Sequence, residues 1–241
     1  TLRSRGLGDV YKRQGPNPKF VEGTYHWFFG AGMVHAFHVD QGKVGYVNRW
    51  VRTPKFEREI ELGRGLSLDI NINSETGQIE SNRRNGVANT HILAHGDHLV
   101  ALEEGSHPFS MDPQTLVSEG YGHYADGIKG AMTAHPKIDP ETGELHGFGY
   151  MTDHFGSNTM TYHVIDRDGR MLRSDVFEAP YAAMVHDFMI TRDYVIFPLF
   201  PLTCDLDRVA QFGFPFAFDR SAGAYIGVLK RGAPASSIRW L

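Results

Sequence analysis

Three times in this chain an apolar–polar alternation runs into a short turn and resumes beyond it. In "MVHAFHVDQGKVGYVNRWVRT" (33–53), Val34, Ala36 and His38 alternate with Met33, His35, Phe37 and Val39 up to a turn at "DQGK". "HILAHGDHLVALEEG" (91–105) turns at "HGDH", and "MTYHVIDRDGRMLRSDVFEAP" (160–180) turns at "DRDG". A period of two is the signature of a strand, and Asp and Gly tolerate the positive φ that lets two strands double back. Each segment predicts an antiparallel hairpin.

A second regularity lies in the turn residues. Turn aspartates fall at Asp112, Asp139, Asp166, Asp193 and Asp219, separated by 27, 27, 27 and 26 residues. That interval suits one hairpin plus its connection, so two of them make a four-stranded blade of roughly fifty residues. The 27 Gly and 12 Pro interrupt almost every window long enough for an amphipathic helix. The predicted fold class is all-β, with a propeller preferred over a sandwich.

Composition narrows the setting. A chain of 241 residues forms one sizeable core or two small domains. A net charge of -4 gives no electrostatic case for binding nucleic acid. Cys204 is the single cysteine, which excludes an internal disulfide framework. The longest apolar run, "YVIFPLFPL" (194–202), is broken by two prolines and falls short of the ~18–20 residues that span a bilayer. A soluble, cytoplasmic chain is expected. Residues 1–14, "TLRSRGLGDVYKRQ", match nothing that follows and carry four basic residues without a sustained apolar face. They are read as a non-native or disordered segment, leaving 15–241 as the domain.

Thirteen histidines is a high count, and histidine is the commonest metal ligand. His38, His98, His107, His146 and His163 lie near turns or at positions expected to face solvent. His35 and His95 fall inside strands, as buried structural donors. His135 and His186 differ, because each opens a strand-like run, in "TAHPKIDPETGELHGFGY" (133–150) and "APYAAMVHDFMITRDYVIFPLFPL" (179–202). In a propeller such positions converge from different blades. Their separation of 51 residues fits neither a zinc knuckle nor an HExxH helix, but does fit one ligand per blade.

These two segments, together with "GMVHAFHV", "VNRWVRT" and "GVANTHILAHGDHLVALEEG", resemble the carotenoid cleavage oxygenases, a family that includes apocarotenoid and lignostilbene dioxygenases. The resemblance runs from about Asn17 to Leu241. It implies a seven-bladed β-propeller of about twice this length, of which this chain would be roughly half the blades, truncated at the C-terminus. It implies Fe(II) held by four histidines, with His135 and His186 as the first two and Glu104 of "ALEEG" accepting a ring N–H from the second. The other two ligands would lie beyond the "IRWL" with which the chain ends. The implied reaction joins O2 to a conjugated double bond of an apolar polyene or stilbene, giving two carbonyl products. No Ser-His-Asp or Cys-His signature competes with that reading.

Two departures from the family pattern stand out. The usual "DGDG" turn before "MVHAF" is "FGAG" here (29–32). Stilbene-cleaving members carry a lysine where this chain has Glu103, which tilts the expected substrate toward apocarotenoid-like polyenes. The resemblance also allows peripheral membrane contact near a tunnel mouth, and oligomeric state stays open. The rival reading is a non-catalytic propeller that binds apolar ligands or partners.

Overall fold

A computed structural model describes residues 28, 30–66, 70–72, 79–208 and 215–241. The segment 1–14 lies outside the described residues, as does Phe29. In chain order the elements begin with β1 (Met33–Asp40), β2 (Lys43–Trp50), α1 (Pro54–Leu62), β3 (Ile70–Ile72) and β4 (Ile79–Ser81). Next come β5 (His91–His95), β6 (His98–Leu102), β7 (Phe109–Met111) and β8 (Ser118–Tyr121). Then follow β9 (Lys137–Ile138), β10 (Leu145–Tyr150), β11 (Thr159–Ile165) and β12 (Met171–Glu178). The last are β13 (Met189–Ile190), β14 (Tyr194–Leu199), β15 (Leu202–Cys204), β16 (Phe216–Phe218), β17 (Tyr225–Lys230) and β18 (Arg239–Trp240).

The three expected hairpins are β1–β2, β5–β6 and β11–β12, all antiparallel. Gln41 and Gly42 both take positive φ, 46° and 77°, as a two-residue turn matched to strand twist requires. The recurring aspartates also sit in turns between strands, and several hold them by side-chain bonds. Asp112 Oδ1 accepts the Gln114 and Thr115 amides at 3.0 and 2.6 Å, Asp139 Oδ1 the Glu141 amide at 2.8 Å, and Asp219 Oδ1 the Ser221 amide at 2.9 Å. That bond explains why aspartate recurs there. The regularity breaks once: β15 and β16 pair with each other between β14 and β17, so Asp219 does not head a hairpin of a four-stranded sheet.

The chain divides into two compact units. The first holds β1–β2, α1 and the sheet β5-β6-β7-β8 around Val34, Val51, Ile92, Leu99, Phe109 and Met111. Asn89 Nδ2 donates here to the carbonyls of Phe28 and Gly30 at 2.8 and 2.7 Å. Helix α1 fills one short window between such Pro and Gly interruptions. Thr53 caps it through Oγ1 to the Phe56 amide at 3.3 Å, Pro54 opens it, and Gly63 closes it at φ 65°.

The second unit holds the hairpins β3–β4 and β15–β16 and two four-stranded sheets, β12-β11-β10-β9 and β13-β14-β17-β18. Its core is aromatic. Phe188 packs on Phe148 and Phe197 with ring centroids 5.0 and 5.8 Å apart, so β10 of one sheet and the entry to β13 of the other share a single cluster. Among the described residues, no helix is long and apolar enough to cross a membrane.

Candidate metal centre

His135 and His186 occupy equivalent places in the second unit, just ahead of the first strand of each four-stranded sheet. Local sequence explains both. Pro136 follows His135, which disfavours helix there and pushes the chain into extended geometry. Phe188, two residues past His186, is buried in the aromatic core and anchors the segment that carries the exposed His186. Behind His135 the run Ala131–Ala134 is fully buried, and the Thr133 amide donates to the Phe148 carbonyl at 2.6 Å. Phe148 thus holds both approaches, one through its ring and one through its carbonyl.

The two imidazoles meet. Their ring centroids are 4.5 Å apart at an interplanar angle of 67°, and a nitrogen of each lies within 4.8 Å of a nitrogen of the other. Two nitrogens each about 2.1 Å from one ion stand no more than ~4.2 Å apart, so small side-chain rotations bring this pair onto a common metal. His135 is half-buried and His186 exposed. The donor set fits Fe(II), for which imidazole is a suitable ligand.

An ion pair links the segments that carry the two histidines. Lys137 Nζ bonds Asp187 Oδ1 at 2.8 Å, joining the residue two past the first histidine to the residue one past the second. Burial raises the Asp187 carboxyl, but Lys137 and the Phe188 amide outweigh it and hold the group below the usual carboxylate range. Thr133 and this ion pair were not singled out from sequence. Their signal was position: they sit two before and two after His135, and one after His186.

Glu104 belongs to the first unit, half-buried in the bend after β6. Its neighbour Glu103 turns inward, accepting the Val87 amide at 3.0 Å and bonding Ser106. Burial pushes this carboxyl upward against those bonds. Gly86 leaves it room, since a Cβ there would come within 2.1 Å of Glu103 Oε1.

Other histidine expectations need correction. His146 and His163 do not face solvent; they are 2% and 0% exposed, because β10 and β11 are the inner strands of their sheet and are covered on both faces. His163 Nε2 faces the Ala131 carbonyl at 3.0 Å, and His146 Nδ1 meets the Tyr162 hydroxyl at 2.6 Å. His95 is buried as expected, bonded to the Tyr124 hydroxyl at 2.7 Å, whereas His35 is only half-buried.

Comparison with known proteins places the whole chain. Residues 5–241 match the family model described as retinal pigment epithelial membrane protein, RPE65. The chain is 36% identical over 239 residues to isoeugenol monooxygenase of Pseudomonas putida, covering 98% of this chain and 50% of that protein. It is 38% identical over 253 residues to carotenoid cleavage oxygenase 1 of Neurospora crassa, covering 97% and 48%. The crystal structure of Pseudomonas brassicacearum lignostilbene dioxygenase superposes with a TM-score of 0.78 at 36% identity, over 96% of this chain and 48% of that one. The chain spans about half the length of the curated relatives it matches. Its four-stranded antiparallel sheets correspond to half of such a propeller. With its paired histidines, its blade-like sheets and a match along nearly its whole length, this chain belongs to the carotenoid cleavage oxygenase (RPE65) family.

Proposed function

We propose that this chain is the part of a non-haem Fe(II) dioxygenase that supplies two of its four histidine ligands, His135 and His186. The reaction would cleave a conjugated carbon–carbon double bond of a carotenoid, apocarotenoid or stilbene with O2, giving two carbonyl products. The observation that carries the reading is the meeting of two imidazoles from equivalent positions of two sheets. Family membership supports it, and the names of the relatives share one chemical element, a conjugated alkene.

When bound, Fe(II) supplies activation of dioxygen beside the alkene. The residues of this chain do the holding. His135 and His186 would present ring nitrogens to the metal, and the apolar aromatic layer beneath them fixes the segments that carry them. The resemblance gives Glu104 the role of accepting a ligand's ring N–H and so selecting its tautomer. The third and fourth histidines of such a centre would belong to the half of the relatives' length that this chain does not span. Both oxygen atoms end in the carbonyls, so no side chain needs to act as general acid or base.

The test uses the full-length protein, loaded with iron and offered isoeugenol, a hydroxystilbene and an apocarotenal under 18O2. Oxygen uptake with two carbonyl fragments, both labelled, is the expected result. Iron-loaded protein that takes up no oxygen with any of the three would overturn the reading in favour of a non-catalytic binder of apolar ligands.

A further inference from the structure

Thr133 is fully buried, yet its hydroxyl is committed on both sides. Its Oγ1 donates to the carbonyl oxygen of His186 at 3.2 Å and accepts the amide N–H of His135 at 3.3 Å. One hydroxyl therefore ties together the main chain of the two histidines, which enter from different sheets. A second tie runs nearer the surface, where Lys137 Nζ meets Asp187 Oδ1 at 2.8 Å and the same oxygen accepts the Phe188 amide at 2.8 Å.

We infer that Thr133 is a positioning residue that sets the separation of the His135 and His186 imidazoles, with the Lys137–Asp187 pair as a second tie. The inference rests on the metal reading above. Its physical basis is that a metal tolerates little error in ligand placement, about 0.5 Å, while two separate sheets have no covalent reason to keep their leading residues in register. With the two main-chain points fixed, each imidazole has only its own two side-chain torsions left to set. The first tie is shielded from water and the second is partly exposed, so the hydroxyl should matter more than the ion pair.

Partners lying behind metal ligands typically account for about 10- to 100-fold in metal affinity. Thr133→Val keeps the shape and removes the hydroxyl. In the full-length protein, Co(II) titration followed by visible absorption should show Thr133→Val weakening binding by about tenfold or more, with a changed band shape. Thr133→Ser, which restores the hydroxyl, should return both affinity and spectrum to those of the unaltered protein. Lys137→Met, at a position that does not form the core, should weaken binding by a few-fold, and decides the matter if Thr133→Val does not fold. Unaltered affinity and spectrum in Thr133→Val, or in Lys137→Met where that variant decides, would overturn the positioning role, provided that His135→Ala and His186→Ala abolish binding. If those two histidine variants bind Co(II) as well as the unaltered protein does, it is the metal reading itself that fails.

Discussion

Arg231 and Asp139 form an ion pair at 2.5 Å that joins the two four-stranded sheets of the second unit, with side chains only 17% and 8% exposed. Arg231 lies just past β17 and Asp139 just past β9. The same guanidinium donates to the carbonyls of Thr191 and Arg192 at 3.3 and 3.4 Å and to His146 Nε2 at 3.1 Å. Charged groups so enclosed are costly to leave alone.

Arg231→Met should therefore lower stability by about 2–3 kcal/mol, somewhat less than for a fully buried pair. Urea denaturation of the full-length protein measures it. A loss below about 0.5 kcal/mol would mean that the pair is solvated in practice.

His146 gives this cluster a pH dependence. Because Arg231 can only donate, His146 Nε2 must accept, which requires a neutral ring. Burial first, and then Arg231, push its pKa from 6.5 down to about 4, with Asp139 opposing and Arg173 adding to the fall. The unfolded chain takes up this proton near pH 6.5 and the folded chain does not, so stability is full above that pH and is lost as pH falls toward 4. The expected loss is roughly 2 kcal/mol once solvent screening is allowed for. Asp139, held low by the Glu141 amide and Arg231 against burial, adds a loss only at still lower pH. Thermal melts at pH 7 and pH 4.5 should differ less in His146→Gln than in the unaltered protein.

Glu103 carries the opposite sign. Its carboxyl is raised by burial, so the folded state favours the proton, and that contribution is fully present below about pH 4.5 and lost as pH rises through the folded value. Glu103→Gln keeps an oxygen for the Val87 amide and removes the charge, so it should melt no lower than the unaltered protein at pH 8. Glu103→Ala leaves that amide without a partner and should cost about 2 kcal/mol.

Gly149→Ala tests how closely β10 approaches the segment leading to His135. A Cβ at 149 would stand 2.2 Å from the Ala131 carbonyl oxygen, which also faces His163 Nε2 at 3.0 Å. Overpacking of this kind costs about 1–3 kcal/mol. Calorimetry should show a lowered melting temperature; an unchanged one would mean that residues 131–135 yield freely.

Much of this architecture could be read in the residues. The hairpins were legible because Asp and Gly at the turns, with alternation on either side, are local signals, as at Gln41–Gly42 and Asp166–Gly169. Helix α1 was written just as locally, in Thr53, Pro54 and Gly63, but is too short for apolar periodicity to reveal. His146 and His163 were misjudged for a different reason. Nearness to a turn says nothing about whether a strand is inner or outer, and that order is set by pairing between distant segments. His135 and His186 were found by their place at strand entrances, whereas the hydroxyl linking them was not, since Thr133 is bonded to a carbonyl 53 positions away.

Both histidines precede their strands rather than occupy them, so neither contributes a rung to a sheet. Replacing either imidazole with another donor leaves every ladder intact. In this sense the sheets do not depend on what those two positions carry, and changes there should alter the chemistry of the site without unfolding its blades.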